Sequence, residues 1–236
     1  MEENKFFKLV WRFNGLLISV AGVLAICVLL FGMYQIFKET TRDRNTQNIV
    51  NVEENSAVKE NWMVGRFISL TDQNILIVPL NSDQSFDRGY FSKSSNSTRN
   101  YLFIDTRTNS KKWLFEHTNY LIEEASHLRI GDDFNLKKPV LAILYTLVKL
   151  DSNNDNRLTP SDKITIAISK PDGSGYKEIL TNIEQVIDSQ VLSENELFIM
   201  FQSNGKYFSS TLNLNSYDLG NQTELPKVSL QQKPFN

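Results

Sequence analysis

From Phe13 to Phe37 the chain reads FNGLLISVAGVLAICVLLFGMYQIF, without one charged side chain. As a helix rising ~1.5 Å per residue, the run reaches roughly 37 Å, enough to cross a ~30 Å hydrocarbon core with some tilt. A helix apolar on all sides has no polar face to turn to water. Trp11 and Tyr34 lie near its ends, where aromatic rings favour the membrane interface. Ser19, Gly22 and Ala25 sit three apart, a spacing that lets a second helix approach closely or simply faces lipid. A cleaved signal peptide has a shorter apolar region and a small-x-small site, which this run lacks. A lipoprotein signal is excluded because Ile26 precedes Cys27 and more apolar residues follow. The sequence therefore predicts a tail over 1–12 and a single transmembrane helix over 13–37.

Orientation rests on flanking charge. Lys5, Lys8 and Arg12 on one side match Lys38, Arg42 and Arg44 on the other, so the positive-inside count is tied. The short N-terminal tail favours the N-terminus inside and the large domain exported: inner membrane and periplasm in a bacterial cell. Residues 1–38 carry a net charge of +2, and the remainder has 21 basic against 25 acidic residues. That balance gives no electrostatic basis for a nucleic-acid partner. The part beyond the helix has no cysteine, so no disulfide reveals the compartment.

Residues 38–61 are polar, without a sustained period, and read as a juxtamembrane linker. From 62 to 236 short apolar runs recur, among them RFISL, NILIVPL, NYLFIDT, VLAILYTLVKL, KITIAIS and ELFIMFQ. Turn sequences such as RTNS, PDGSG and SNGK separate them. VLAILYTLVKL has a helical composition, but it follows Pro139, has no N-cap residue and runs straight into a polar loop, so it reads as strand. The fold class is mainly β: one N-terminal transmembrane helix followed by a β-rich soluble domain, either a sandwich or propeller-like hairpin repeats.

Three segments share a strand–turn–strand order. They start at Tyr101 (YLFIDTRTNSKKWLFE), at Thr165 (TIAISKPDGSGYKEIL) and, more weakly, at Phe198 (FIMFQSNGKYFSSTLNL). SKPDGSGYKEIL is similar to TolB-type propeller repeats, and that resemblance implies blade-like hairpins.

The strongest chemical pattern is DSNNDNRLTPSD, residues 151–162. It resembles the twelve-residue EF-hand loop, in which oxygens spaced two apart converge on calcium. The resemblance puts Asp151, Asn153 and Asp155 at the first, third and fifth positions. The Arg157 carbonyl falls at the seventh, Thr159 at the ninth and Asp162 at the twelfth, with Leu158 as the apolar eighth. Asn156 replaces the usual glycine and tolerates positive φ at small cost. Asp162 replaces the usual glutamate and shortens the grip by one methylene. KITIAIS follows as strand rather than helix, so the resemblance covers the loop alone. The competing reading is an Asn/Asp-rich turn that caps its own amides.

Catalytic patterns are missing. His117 and His127 are too few for a zinc site and read as loop or surface residues. There is no G-x-S-x-G elbow and no phosphate-binding glycine loop. Sequons stand at Asn96 and Asn221. RNYLF, KKWLF and Tyr120 form an aromatic group expected in the sheet core. The sequence points to a non-catalytic, membrane-anchored accessory or adaptor protein with a calcium-stabilised β-domain outside the cytoplasm. Its expected partner is another protein or a cell-envelope component. A bitopic sensor head and a membrane-tethered hydrolase are the alternatives.

Overall fold

The computed structural model describes residues 5–40, 50–51, 59–70, 73–86, 93–131 and 138–226. The chain divides into two compact units, Met1–Asn45 and Thr46–Asn236. The first holds one helix, α1, over Lys5–Thr40. Its stretch Phe7–Gln35 is long and apolar enough to cross a membrane. The helix extends beyond 13–37 at both ends because no proline interrupts Lys5–Thr40. Ser19 Oγ donates to the Gly15 carbonyl at 2.9 Å, which satisfies the hydroxyl within the helix.

The second unit is all antiparallel sheet. Its strands are β1 (Val50–Asn51), β2 (Lys59–Val64), β3 (Ile68–Leu70), β4 (Ile75–Phe86), β5 (Lys93–Asp105), β6 (Lys111–Trp113), β7 (Leu121–Leu128) and β8 (Ala142–Val148). They continue with β9 (Arg157–Leu158), β10 (Ile164–Ser169), β11 (Lys177–Ile183), β12 (Gln185–Ser193), β13 (Glu196–Ser203), β14 (Lys206–Asn213) and β15 (Thr223–Glu224). Thus β1 falls inside 38–61, the stretch that reads as linker, and β2 begins there.

Pairing joins β11–β10–β8–β7–β5–β4–β2, with β3 on β4 and β6 on β5, in one nine-stranded sheet beside a four-stranded sheet and the β1–β9 pair, and the two cores divide the two large sheets into three layers. The middle layer is the meander β7–β8–β10–β11. One outer layer is the four-stranded sheet β12–β13–β14–β15. The other is β3–β4–β5–β6, built on the first half of β4 and the second half of β5. At Leu80/Asn81 the β4–β5 register shifts. Beyond that bulge β2 takes over the edge of β4, and Thr98 of β5 pairs with Ile122 of β7. A bulge of this kind lets one hairpin serve two layers.

The middle layer is apolar on both faces. Ala142, Leu144 and Val148 of β8 join Ile164, Ile166 and Ile168 of β10 in a core with Leu197, Ile199, Phe201 and Leu212 of the β12–β15 layer. The intervening residues Ile143, Tyr145 and Leu147 face Leu70, Ile75, Ile77 and Phe103 in a second core. Burial on both sides is why AILYTLV and ITIAIS lack polar alternation. Two polar groups inside are paired with each other: the Tyr145 hydroxyl and Ser169 Oγ are 2.9 Å apart, and Ser169 Oγ donates to the Lys170 carbonyl at 2.8 Å. Each of the three related sequence segments forms a hairpin, β5–β6, β10–β11 and β13–β14, one in each layer.

The β10–β11 turn fixes the spacing of two layers. Gly173 has φ +74°, and a Cβ there would overlap the Phe103 ring of β5. Gly205 has φ +70° but open space around it. Gly173→Ala is therefore expected to cost about 2–3 kcal/mol and Gly205→Ala about 1 kcal/mol, since only the first adds a core clash to the backbone strain. Paired thermal melts check this; equal losses would contradict the layer contact.

Candidate metal centre

Residues 149–163 join β8 to β10, the two strands buried on both faces. The alternating oxygens of this loop organise its backbone. Asp151 accepts from the Asp155 amide at 3.2 Å and from the Asn156 amide at 2.7 Å. Asn153 Oδ1 accepts from the Asp155 amide at 2.9 Å, and Asp155 Oδ1 from the Arg157 amide at 2.9 Å. Asn153 and Asp155 each reach the amide two residues on, whereas Asp151 spans the turn to amides four and five residues on. Asn154 and Asn156 take φ of 59° and 62°, so Asn156 adopts the positive φ its place in the pattern asks for.

Asp162 is only 2 % exposed. Its Oδ1 accepts from the Ser152 amide at 2.8 Å, the Ser152 hydroxyl at 3.1 Å and the Asn153 amide at 3.3 Å. Its Oδ2 accepts from the Thr159 amide at 2.9 Å. The carboxylate thus draws both ends of the loop together. Leu158 is buried in the core and Arg157 pairs with Asn51, while Leu158 pairs with Val50. The loop therefore clamps Val50, the first core residue described beyond the helix.

Chemically, Asp151, Asn153, Asp155, Asp162 and the Arg157 carbonyl offer oxygen alone, which suits a hard divalent cation. Among the described residues no group of three or more His, Cys, Asp or Glu side chains is gathered closely enough to hold a metal ion. In the described geometry the loop carboxylates act on loop amides.

Beside the loop lies a polar–aromatic cluster. Lys149 pairs with Glu178 at 2.6 Å and lies over the Tyr120 ring at 5.1 Å. The Tyr176 hydroxyl donates to Glu178 at 3.2 Å. Burial, reinforced by Glu178, pushes the Tyr176 phenol well above its ordinary value. Phe115 stacks on His117 and meets Tyr120 and Tyr176 edge-on. Of the sequence's aromatic group, Tyr101, Phe115 and Tyr120 enter this region, whereas Trp113 is exposed. Sequence reasoning missed Lys149, Tyr176 and Glu178, which only the β8–β10–β11 register brings together. His117 lies in a connecting segment, but His127 is a half-buried strand residue opposite Ile143.

A third cluster centres on Arg99, 6 % exposed. Its guanidinium pairs with Glu60 at 2.9 Å, donates to the Thr118 and Tyr120 carbonyls, and lies 5.7 Å from the Trp62 ring centre. Asn100 donates to the Phe115 and His117 carbonyls. These neighbours pin the segment between β6 and β7.

Two outcomes follow. Asp162→Ala, measured in chelator, should lower stability by about 2–3 kcal/mol because several loop donors lose a buried acceptor, while Asp155→Ala should leave the melt nearly unchanged. Burial, then the Arg129 charge, holds His127 below its ordinary value. The unfolded chain then binds the extra proton first, so this contribution is complete above pH ~6.5 and is lost as pH falls toward the folded value. His127→Gln should flatten the fall of the melting temperature below pH ~6.5; an unchanged slope would contradict the assignment.

No protein-family model matches the chain, and no curated protein does. Solved structures give distant likenesses. The β-propeller domain of the Trilobed protease from Pyrococcus furiosus, described as having an open velcro topology, is 12 % identical with a TM-score of 0.36, over 70 % of this chain and 43 % of that one. A luciferin-regenerating enzyme is 9 % identical with a TM-score of 0.33, over 75 % of this chain and 64 % of that one. The chain spans less than two thirds of either.

Proposed function

We propose that this protein is a membrane-anchored, non-catalytic accessory or adaptor protein whose β-domain lies outside the cytoplasm and binds another protein or a cell-envelope component. One observation carries the reading: the polar clusters of the described domain end on the protein's own backbone or on one another. Asp162 holds loop amides, Arg99 holds Glu60 and two carbonyls, and Lys149 holds Glu178. They brace a scaffold. The apolar helix supplies the anchor that such a scaffold needs.

Calcium is the proposed ligand of the β8–β10 loop, held by Asp151, Asn153, Asp155, Asp162 and the Arg157 carbonyl. Its role is structural, because the loop ties Val50 to the core and connects the doubly buried strands. A single loop closed by aspartate belongs at the weak end of such sites, in the ~10⁻⁴–10⁻³ M range of extracellular modules, which agrees with an exported domain.

Ligand at ten times its Kd stabilises the native state by about 1.4 kcal/mol. The full chain in detergent should therefore melt a few degrees higher in millimolar calcium than in chelator, and Asp151→Ala or Asp155→Ala should erase the difference. Identical melts with no calorimetric heat of binding would leave the loop a turn. C-terminal reporter fusions test the topology: a signal only from the reporter active outside the cytoplasm is expected, and a cytoplasmic signal alone overturns it. Affinity capture from gently solubilised membranes should recover a stable partner, and repeated recovery of the chain alone counts against the adaptor reading.

A further inference from the structure

The outermost face of the β3–β6 layer is apolar and faces away from both cores. Residues opposite one another across antiparallel strands share a face. Phe103 and Ile77 point into the second core, so their neighbours alternate to the other face, where Leu76, Leu102 and Ile104 are half-buried and Val78 is buried. Trp113 pairs with Leu102 and Lys111 with Ile104, which places both on this outer face. Val64 and Phe67, at the bend from β2 to β3, are 68 % and 65 % exposed, and Trp113 and Trp62 are 40 % and 45 % exposed.

The rim is basic. Stretches 65–70, 73–80 and 101–113 bring Arg66, Arg107 and Lys111 to this rim against one acid, Asp105, whereas Lys112 pairs with the inward-pointing Phe103 and turns to the other side. Asp105 accepts from the amides of its own turn, at Arg107 and Thr108. Arg66, Arg107 and Lys111 are exposed, and none of them forms an ion pair among the described residues. This local excess runs against the acidic balance of the chain beyond residue 38.

We propose that this face rests on the surface of an anionic lipid bilayer. Exposed tryptophan and phenylalanine beside lysine and arginine are the side chains that seat at a headgroup boundary, aromatic rings at the interface and cations among the phosphates. A second copy of the chain would oppose one basic rim with another. The tether is short as well. Thr40 ends the helix and Val50 is fixed in the β-domain core, so ten residue steps, at most ~35 Å, join them. A domain held this close meets the membrane at high effective concentration, and a weak surface contact then suffices. The inference rests on the proposed membrane insertion of α1, and its test separates the two.

The chain has three tryptophans, Trp11 in the helix and Trp62 and Trp113 at this surface. The full chain is reconstituted in phosphatidylcholine vesicles, with and without about one third phosphatidylglycerol, each doped with a bromine-labelled lipid that quenches tryptophan. With Trp62→Phe and Trp113→Phe, Trp11 alone reports insertion of the helix. With Trp11→Phe, the other two report the surface. Their quenching should rise at least about twofold with the anionic lipid and fall back in high salt. It should also be lost in Arg66→Glu/Arg107→Glu/Lys111→Glu, whose fold is checked by circular dichroism. Quenching of Trp11 without quenching of Trp62 and Trp113 overturns the surface proposal, leaves the anchor standing and points to an acidic protein partner instead. Absence of Trp11 quenching overturns the anchor, and if Trp62 and Trp113 are also unquenched, both proposals fail.

Discussion

Packing on both faces of β8 and β10 is the constraint around which the β-domain is arranged. A strand in a two-sided sheet needs no polar alternation, and its side chains gain burial in both directions, at ~25 cal/mol per Å² of apolar surface removed from water. Tyr145 illustrates the demand this makes. It is fully buried, and its hydroxyl must be matched inside the core, which Ser169 does from the neighbouring strand. Removing such a partner would leave a buried polar group unpaired.

The polar clusters sit where the layers have to be joined. Arg99 lies at the β4–β5 bulge, where one hairpin passes from the outer layer to the edge of the middle one. Its guanidinium reaches backbone carbonyls of the segment that leads into β7, and Glu60 balances its charge from β2. At the opposite edge Lys149 and Glu178 link the end of β8 to β11 across β10. The 151–162 loop completes the set by pairing Leu158 with Val50, so the chain emerging from the helix unit enters the core beside it.

Much of this was legible from the residues, for definite reasons. The uncharged helix, the strand character of VLAILYTLVKL and the three hairpins depend on local composition and turn chemistry, which one sequence displays. The positive φ of Asn156 and the amide-capping role of alternating Asp and Asn are local too. What stayed hidden depends on register and layering. Lys149, Tyr176 and Glu178 are separated in sequence and adjacent only after β8, β10 and β11 align. Val50 looked like part of a polar linker because its partner, Leu158, lies more than a hundred residues away. Trp113 looked like core because its hydrophobicity is visible and the face it occupies is not.

Hydrogen exchange on the full chain tests the two-sided burial most directly. Amides of Ile143–Val148 and Ile164–Ser169 should exchange only through global unfolding, with protection close to the stability measured by denaturant. The outer edges at Lys59–Val64 and Gln185–Ser193 should open locally and exchange far sooner. Protection in β8 and β10 no greater than at those edges would contradict the layered arrangement.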